Sequence, residues 1–329
     1  MKWDDKPVLV TGAGGFIGSH LVETLAKQGA SVRAWVRYTS RAEMGLLKFL
    51  PAEILSKIEI FSGDLLDPQT AFEAVEGCGL VFHLGALISI PYSYLHPREV
   101  AATNFLGTLN ILMACKNTRI ERLIHTSTSE VYGTARQVPI REDHPLQAQS
   151  PYAASKIGAD KLVESFYRAF NLPVVTVRPF NTYGPRQSAR AVIPAIITQA
   201  LVNKTVFLGN LETTRDFTFV SDTVAGFIGA AETGGIEGRV LNLGSGQEIR
   251  IADLAELIIQ KIDPSIQLAV DPNRLRPAGS EVYRLISDNS LARRLLGWQP
   301  KIPLNDGIAL TIDWIKNHLN LYRAGQYEV

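Results

Sequence analysis

The stretch Thr11-Gly12-Ala13-Gly14-Gly15-Phe16-Ile17-Gly18 joins an apolar burst, Pro7-Val8-Leu9-Val10-Thr11, to an amphipathic run from Phe16 to Gln28. In that run Ile17, Leu21 and Leu25 share one stripe, and Gly29 stops it. Glycines at 12, 15 and 18 let a strand turn sharply into a helix, bring the turn's amides close to a ligand, and let the helix pack near the strand. A helix beginning there offers unpaired N–H groups and the positive end of its dipole, which suits phosphate. A strand–turn–helix unit of this kind needs a sheet around its strand. It commits the start of the chain to a parallel α/β architecture.

The next 150 residues keep the same rhythm. Ser31 to Val36, Ile58 to Phe61, Leu80 to Leu84, Leu123 to Ser127 and Val174 to Val177 read as short β-branched strands. Helical patterns at about 69–76, 98–117 and 152–170 separate them. Nearly continuous apolar strands alternating with helices predict a doubly wound parallel sheet covered on both faces. After residue 180 the rhythm loosens. Expected there are a helix at 191–203, a strand at Val206–Leu208, a segment Asp216–Val220 and a buried strand at Val240–Leu243. A helix at 251–262, a Pro/Arg-rich loop at 271–280 and helices near 288–296 and 304–319 follow. Residues 1–180 therefore form a dinucleotide-binding Rossmann domain, with about 220–245 returning to it. The remainder of 181–329 forms a smaller interleaved α/β cap for substrate.

Composition narrows the partners. With 33 basic and 32 acidic residues in 329, the chain lacks the basic excess that nucleic-acid binding needs. Its 46% apolar content builds a core and argues against disorder. Two cysteines, Cys78 and Cys115, make no disulfide framework and fit a reducing compartment. Neither has a metal-ligand neighbourhood, and no metal is expected. His83 and His125, on strands, are read as core or crevice-lining residues. Met1-Lys2-Trp3-Asp4-Asp5-Lys6 leads into no apolar signal region, and no uncharged stretch approaches the ~20 residues of a membrane helix. A cytoplasmic protein without a membrane partner is expected.

The end of the second strand bears on the cofactor. A carboxylate there would clasp a ribose 2′-hydroxyl. The chain instead has Arg37-Tyr38-Thr39-Ser40-Arg41, with no acid until Glu43. Arg37, Ser40 and Arg41 would complement a 2′-phosphate, so NADP is expected over NAD. Gly12, Gly15, Phe16, Ile17 and Gly18 would hold the pyrophosphate. Asp64 and Leu65, after the third strand, would meet the adenine.

Three segments carry the chemistry. Ser127-Thr128-Ser129-Glu130-Val131-Tyr132-Gly133 lies beyond the fifth strand, where open α/β sheets face their ligand. Tyr152-Ala-Ala-Ser-Lys156 places a phenol and an ammonium four apart, on one helical face. The ammonium is expected to lower the phenol's pKa from ~10 toward neutrality, fitting it for general-base work. Arg178-Pro-Phe-Asn181-Thr-Tyr-Gly-Pro185 lies beyond the sixth strand.

The glycine spacing, the Thr/Ser/Glu turn, YxxxK and RPxNxYGP, in that order, resemble the extended short-chain dehydrogenase/reductase family of nucleotide-sugar enzymes. Asn104-Phe-Leu-Gly-Thr108, Arg215 to Asp222, Asn242-Leu-Gly244 and Arg276-Pro277 extend the resemblance over essentially the whole chain. It is closest to sugar-nucleotide 4,6-dehydratases, where Thr128-Ser129-Glu130 matches the Thr-Ser-Glu of the GDP-mannose enzymes. Ile124 to Arg190 also looks like the dehydratases of legionaminic-type pathways, which act on nucleotide-linked N-acetylglucosamine.

The resemblance implies a lyase with tightly bound, recycled NADP (NAD as the alternative). Tyr152 takes the 4-hydroxyl proton, Thr128 bonds the same oxygen, and Lys156 holds the nicotinamide ribose. Glu130 removes the C5 proton and returns it to the departing 6-hydroxyl, which Ser129 orients. Arg215 and Arg276 clamp the substrate diphosphate, with Asn181 beside it. Long apolar helices near 98–117 and 152–170 imply a homodimer. Three alternatives stay open: a 4-epimerase, which has no use for Glu130; a nucleotide-glucuronate decarboxylase, which needs a cation at the C6 carboxylate; and a non-catalytic dinucleotide sensor.

Overall fold

The computed structural model describes residues 3–323. Seven strands form one wholly parallel sheet. They are β1 (Pro7–Thr11), β2 (Ser31–Arg37), β3 (Glu59–Gly63), β4 (Leu80–His83), β5 (Arg122–Thr126), β6 (Val174–Pro179) and the late strand Val240–Leu243. Their order is β3-β2-β1-β4-β5-β6 followed by Val240–Leu243. The strand order reverses between β1 and β4, which opens a crevice at the carboxyl ends of the strands. The architecture is the doubly wound one expected.

Alternation along the strands explains the two faces. Val8 and Val10 of β1 and Ile124 of β5 turn into one apolar layer, with helix α1 (Phe16–Lys27) and the helices Val192–Val202 and Val220–Glu232. Leu9, Leu123 and Val174 turn into the other, against helices Pro68–Val75, Gly107–Thr118 and Pro151–Phe170. Asp67 caps Pro68–Val75 by accepting from the Gln69 amide at 3.0 Å. Ser150 caps Pro151–Phe170 through the Ala153 amide at 3.1 Å.

Two segments differ from the expectation. The single helix at 98–117 is instead Pro97–Ala101, a π-turn over Ala102–Leu106, and Gly107–Thr118. The π-turn rotates Asn104 inward, where it is buried. Helix Val220–Glu232 does not stand out in the sequence, because β-branched residues and glycines dilute its propensity. Packing overrides propensity there: a Cβ on Gly226 would lie 2.3 Å from Leu243 Cδ1, so glycine lets the helix press onto the sheet. In the C-terminal part, Thr205–Leu208 pairs in parallel with Gln267–Val270. Among the described residues no helix is long and apolar enough to cross a membrane.

Candidate active site

The glycine turn is closely packed against its own backbone. Gly12 has φ +67°, and a Cβ there would lie 2.9 Å from the Gly85 amide nitrogen. A Cβ on Gly18 would lie 2.2 Å from the Gly12 carbonyl oxygen, so any side chain would force turn and helix apart. Gly15, the N-cap of α1, has no side chain to bond the first-turn amides of Phe16 and Ile17. Those amides, with no acid in the first turn, suit an anion. The turn is tied down from behind: Thr11 Oγ1 accepts from the Gly85 amide at 2.9 Å and bonds His83 Nδ1 at 2.8 Å.

At the outer half of the crevice, Arg37 closes β2 with its side chain exposed, and its Nη2 stands 3.8 Å from Glu99. Ser40 and Arg41 follow, exposed, on the connecting turn. Asp64 is exposed and accepts from the Leu66 amide at 2.9 Å, while half-buried Leu65 packs against Gly107.

The second group gathers where β5 and β6 end. Thr128 caps a short 3₁₀ turn, Ser129–Tyr132, by accepting from the Glu130 amide at 3.2 Å. Its hydroxyl also works to lower the Tyr152 phenol's pKa. Ser129 is buried beneath the turn, and Glu130 leans out half-buried, 3.7 Å from Arg276 Nη1. Buried Arg215 bonds the Thr214 carbonyl at 2.9 Å and stands 3.7 Å from Glu281. Both Glu130 and Arg276 act on its charge, so the two arginines and Glu130 form one cluster. Asn181 adjoins it, donating to the Asp216 carbonyl at 3.4 Å. Asp216 in turn accepts from Ser245, Gly246 and Ser287, which anchors the segment carrying Arg215.

The Tyr152–Lys156 pair departs from expectation. Burial pushes the Tyr152 phenol well above its ordinary value, and nearby Glu130 and Asp160 add to the rise although Thr128 opposes it. Lys156 does not lower it: its ammonium donates instead to the Thr126 carbonyl at 2.6 Å. Burial brings Lys156 down to about 8. The two groups share a helical face, and Lys156 bonds the Thr126 carbonyl.

Sequence reasoning missed what lies behind this pair. Asp160, one turn beyond Lys156, accepts from Ser127 Oγ at 2.8 Å, Arg178 Nη2 at 2.8 Å and His125 Nε2 at 3.1 Å. Burial works against its charge, yet bonds from His125 and Arg178 hold its carboxyl well below the usual range. Arg178 continues to Tyr132 Oη at 2.9 Å, which donates to Asn242 Oδ1 at 2.7 Å. Asn104 accepts from the Leu87 amide at 2.8 Å and donates to Ser155 Oγ at 2.9 Å, tying the loop after β4 to the catalytic helix. The i, i+8 spacing of Tyr152 and Asp160 was the one available signal. His83 and His125 are both buried, as read from sequence, and burial lowers both pKa values. Cys78 and Cys115 are free and buried. Among the described residues no three His, Cys, Asp or Glu side chains gather as a metal site.

The sequence model of the family described as GDP-mannose 4,6 dehydratase matches residues 9–311. A UDP-glucose 4-epimerase from Mycolicibacterium smegmatis is 34% identical, over 94% of this chain and 98% of its own. A human dTDP-D-glucose 4,6-dehydratase is 30% identical, over 97% and 92%. The dTDP-glucose 4,6-dehydratase DesIV from Streptomyces venezuelae, solved with NAD bound, superposes with a TM-score of 0.87 at 28% identity, covering 96% and 99%.

Proposed function

Because this chain belongs to the GDP-mannose 4,6-dehydratase family of NAD-dependent epimerases and dehydratases, we propose that it is a nucleotide-sugar 4,6-dehydratase. Its product is a 4-keto-6-deoxy sugar nucleotide, and its substrate a nucleotide-linked N-acetylglucosamine. The observation that carries this reading is Glu130. It sits half-buried on the turn that Thr128 caps, where its charge raises the Tyr152 phenol's pKa. A carboxylate beside a phenol and hydroxyl answers a reaction that must remove one proton from O4 and a second from C5.

When bound, the nicotinamide dinucleotide takes up a hydride at C4 and gives it back at C6. Tyr152 accepts the 4-hydroxyl proton, and Thr128 holds that oxygen. Lys156, beside the Thr126 carbonyl, would hold the nicotinamide ribose, and its ammonium would favour the ionised phenol. With C4 at the ketone level the C5 proton is acidic. Glu130 takes it and hands it to the 6-hydroxyl, held by Ser129, which leaves as water. Arg215, Arg276 and Asn181 bind the diphosphate.

We read the cofactor as NADP from Arg37, Ser40 and Arg41; equal affinity for NAD and NADP in a titration removes that reading. The molecule is read as cytoplasmic and as a homodimer, the second supported by exposed Leu106, Met113, Tyr167 and Phe170 on the helices expected to pair. A second reading, decarboxylation of a nucleotide-linked glucuronate, draws on Arg276, a cation 3.7 Å from Glu130 and so available near C6. Incubation with UDP-, GDP-, CDP- and dTDP-linked sugars separates the reactions by mass. Loss of one water supports the dehydratase, unchanged mass with inverted C4 the epimerase, and loss of carbon dioxide the decarboxylase.

A further inference from the structure

We propose that Asp160 is a positioning residue that locks the catalytic helix against the ends of β5 and β6, fixing where Tyr152 and Lys156 stand. The proposal rests on reading those two residues as the catalytic pair. Tyr152, Lys156 and Asp160 are spaced four apart on helix Pro151–Phe170 and face the sheet as one buried row. At the far end of the row, Asp160 is held by three donors from two strands: His125 and Ser127 from β5 and its end, and Arg178 from β6. Four donor atoms, Arg178 Nε at 3.3 Å included, leave the carboxylate no freedom to slide or roll. At the near end Lys156 reaches the Thr126 carbonyl, on the same strand that supplies His125. Helix and strand are thus pinned at both ends of one short segment.

The clamp extends beyond the helix. Arg178 lies over the Tyr132 ring, 4.9 Å from its centroid, and bonds its hydroxyl. Tyr132 ends the 3₁₀ turn that carries Glu130. One carboxylate therefore sets the catalytic helix and, through Arg178, steadies the turn that presents the base. Surface Glu164, one turn further on, bonds only Lys161 and Arg168 among the described residues.

Charge gives a readout that simple loss of packing does not share. Lys156 faces Tyr152 and Asp160 on its own helix, His125 of β5, and His83 of β4, whose ring is 5.9 Å from that of His125. Asp160 itself faces His125 and Arg178, and Glu142 acts on Tyr132 behind them. Asp160 favours protonated Lys156, so removing its charge lowers the pH at which Lys156 deprotonates.

The test compares Asp160→Asn, Ser127→Ala and Glu164→Gln. C4 oxidation of a nucleotide sugar that the unaltered enzyme turns over is followed against pH, with NADH and NADPH binding followed by fluorescence without sugar. Asp160→Asn is expected to lower kcat ~10–100-fold with KM held within about threefold. It should weaken cofactor binding several-fold and move the alkaline midpoints of both profiles to lower pH. Ser127→Ala, which removes one donor and keeps the ion pair, lowers kcat several-fold; Glu164→Gln changes nothing. A folded Asp160→Asn protein with unchanged kcat, affinity and pH profiles overturns the proposal. If Asp160→Asn does not fold, unchanged kcat in Ser127→Ala overturns it. If the unaltered enzyme turns over no nucleotide sugar, the lyase reading has failed, and the cofactor arm alone decides the role of Asp160.

Discussion

Thr128 serves two neighbours at once, capping the turn through the Glu130 amide and opposing the rise of the Tyr152 phenol's pKa. Glu130 and Tyr152 thus share one hydroxyl neighbour. Replacing the charge and keeping the shape isolates the carboxylate: Glu130→Gln is expected to retain C4 oxidation, visible as nicotinamide reduction. It should lose C5 proton exchange with solvent and product formation by about 100-fold or more. Full dehydratase activity in that variant refutes the role given to Glu130. These residues were readable in the sequence, because Tyr152 and Lys156 sit at helical spacing and Glu130 follows a strand end. Asp160, His125 and Arg178 were not legible as a unit. Their association depends on which way three separate elements face, and no local pattern encodes that.

Element by element, the glycine turn was the most legible part and is the easiest to break. A Cβ at residue 18 would meet the Gly12 carbonyl at 2.2 Å, and because the atom it meets is backbone, nothing soft can yield. Gly18→Ala is expected to weaken NADPH binding at least ~10-fold, measured by fluorescence titration, and to lower the melting temperature. An alanine variant with undiminished affinity removes this account of the turn. The π-turn at Ala102–Leu106 was invisible for the opposite reason. Hydrophobic periodicity runs on through it, and only the pull of Leu87 and Ser155 on Asn104 shows why the helix widens there. Helix Val220–Glu232 escaped notice because its stability comes from the sheet beneath it and little from its own residues.

The whole molecule carries a pH dependence that follows from its buried histidines. Burial, with the Arg186 charge beside it, lowers His20 to about 4, while its ring N–H donates to the Pro185 carbonyl at 2.9 Å. Burial lowers His83 and His125 as well. Between about 4 and 6.5 the unfolded chain binds protons at His20 that the folded one refuses, so stability rises with pH across that window. Asp160 acts in the same sense at lower pH: its carboxyl is held below the ordinary value, so its stabilisation is lost as pH falls through and below the ordinary carboxylate range. Melting temperature is expected to drop on acidification through this window. His20→Gln should flatten the slope, since one group contributes at most ~1.4 kcal/mol per pH unit. An unaltered slope rejects His20 as a contributor. At this scale strand–helix alternation gave away the sheet, and the pairing of Val240–Leu243 beside β6 agrees with the buried strand read there. The late partnership has a bearing on synthesis. While the chain emerges from a ribosome, β6 has a bare, apolar edge until residue 243 has been made. The crevice cannot close into working shape before then, and the unfinished protein presents an open strand to any neighbour able to zip onto it.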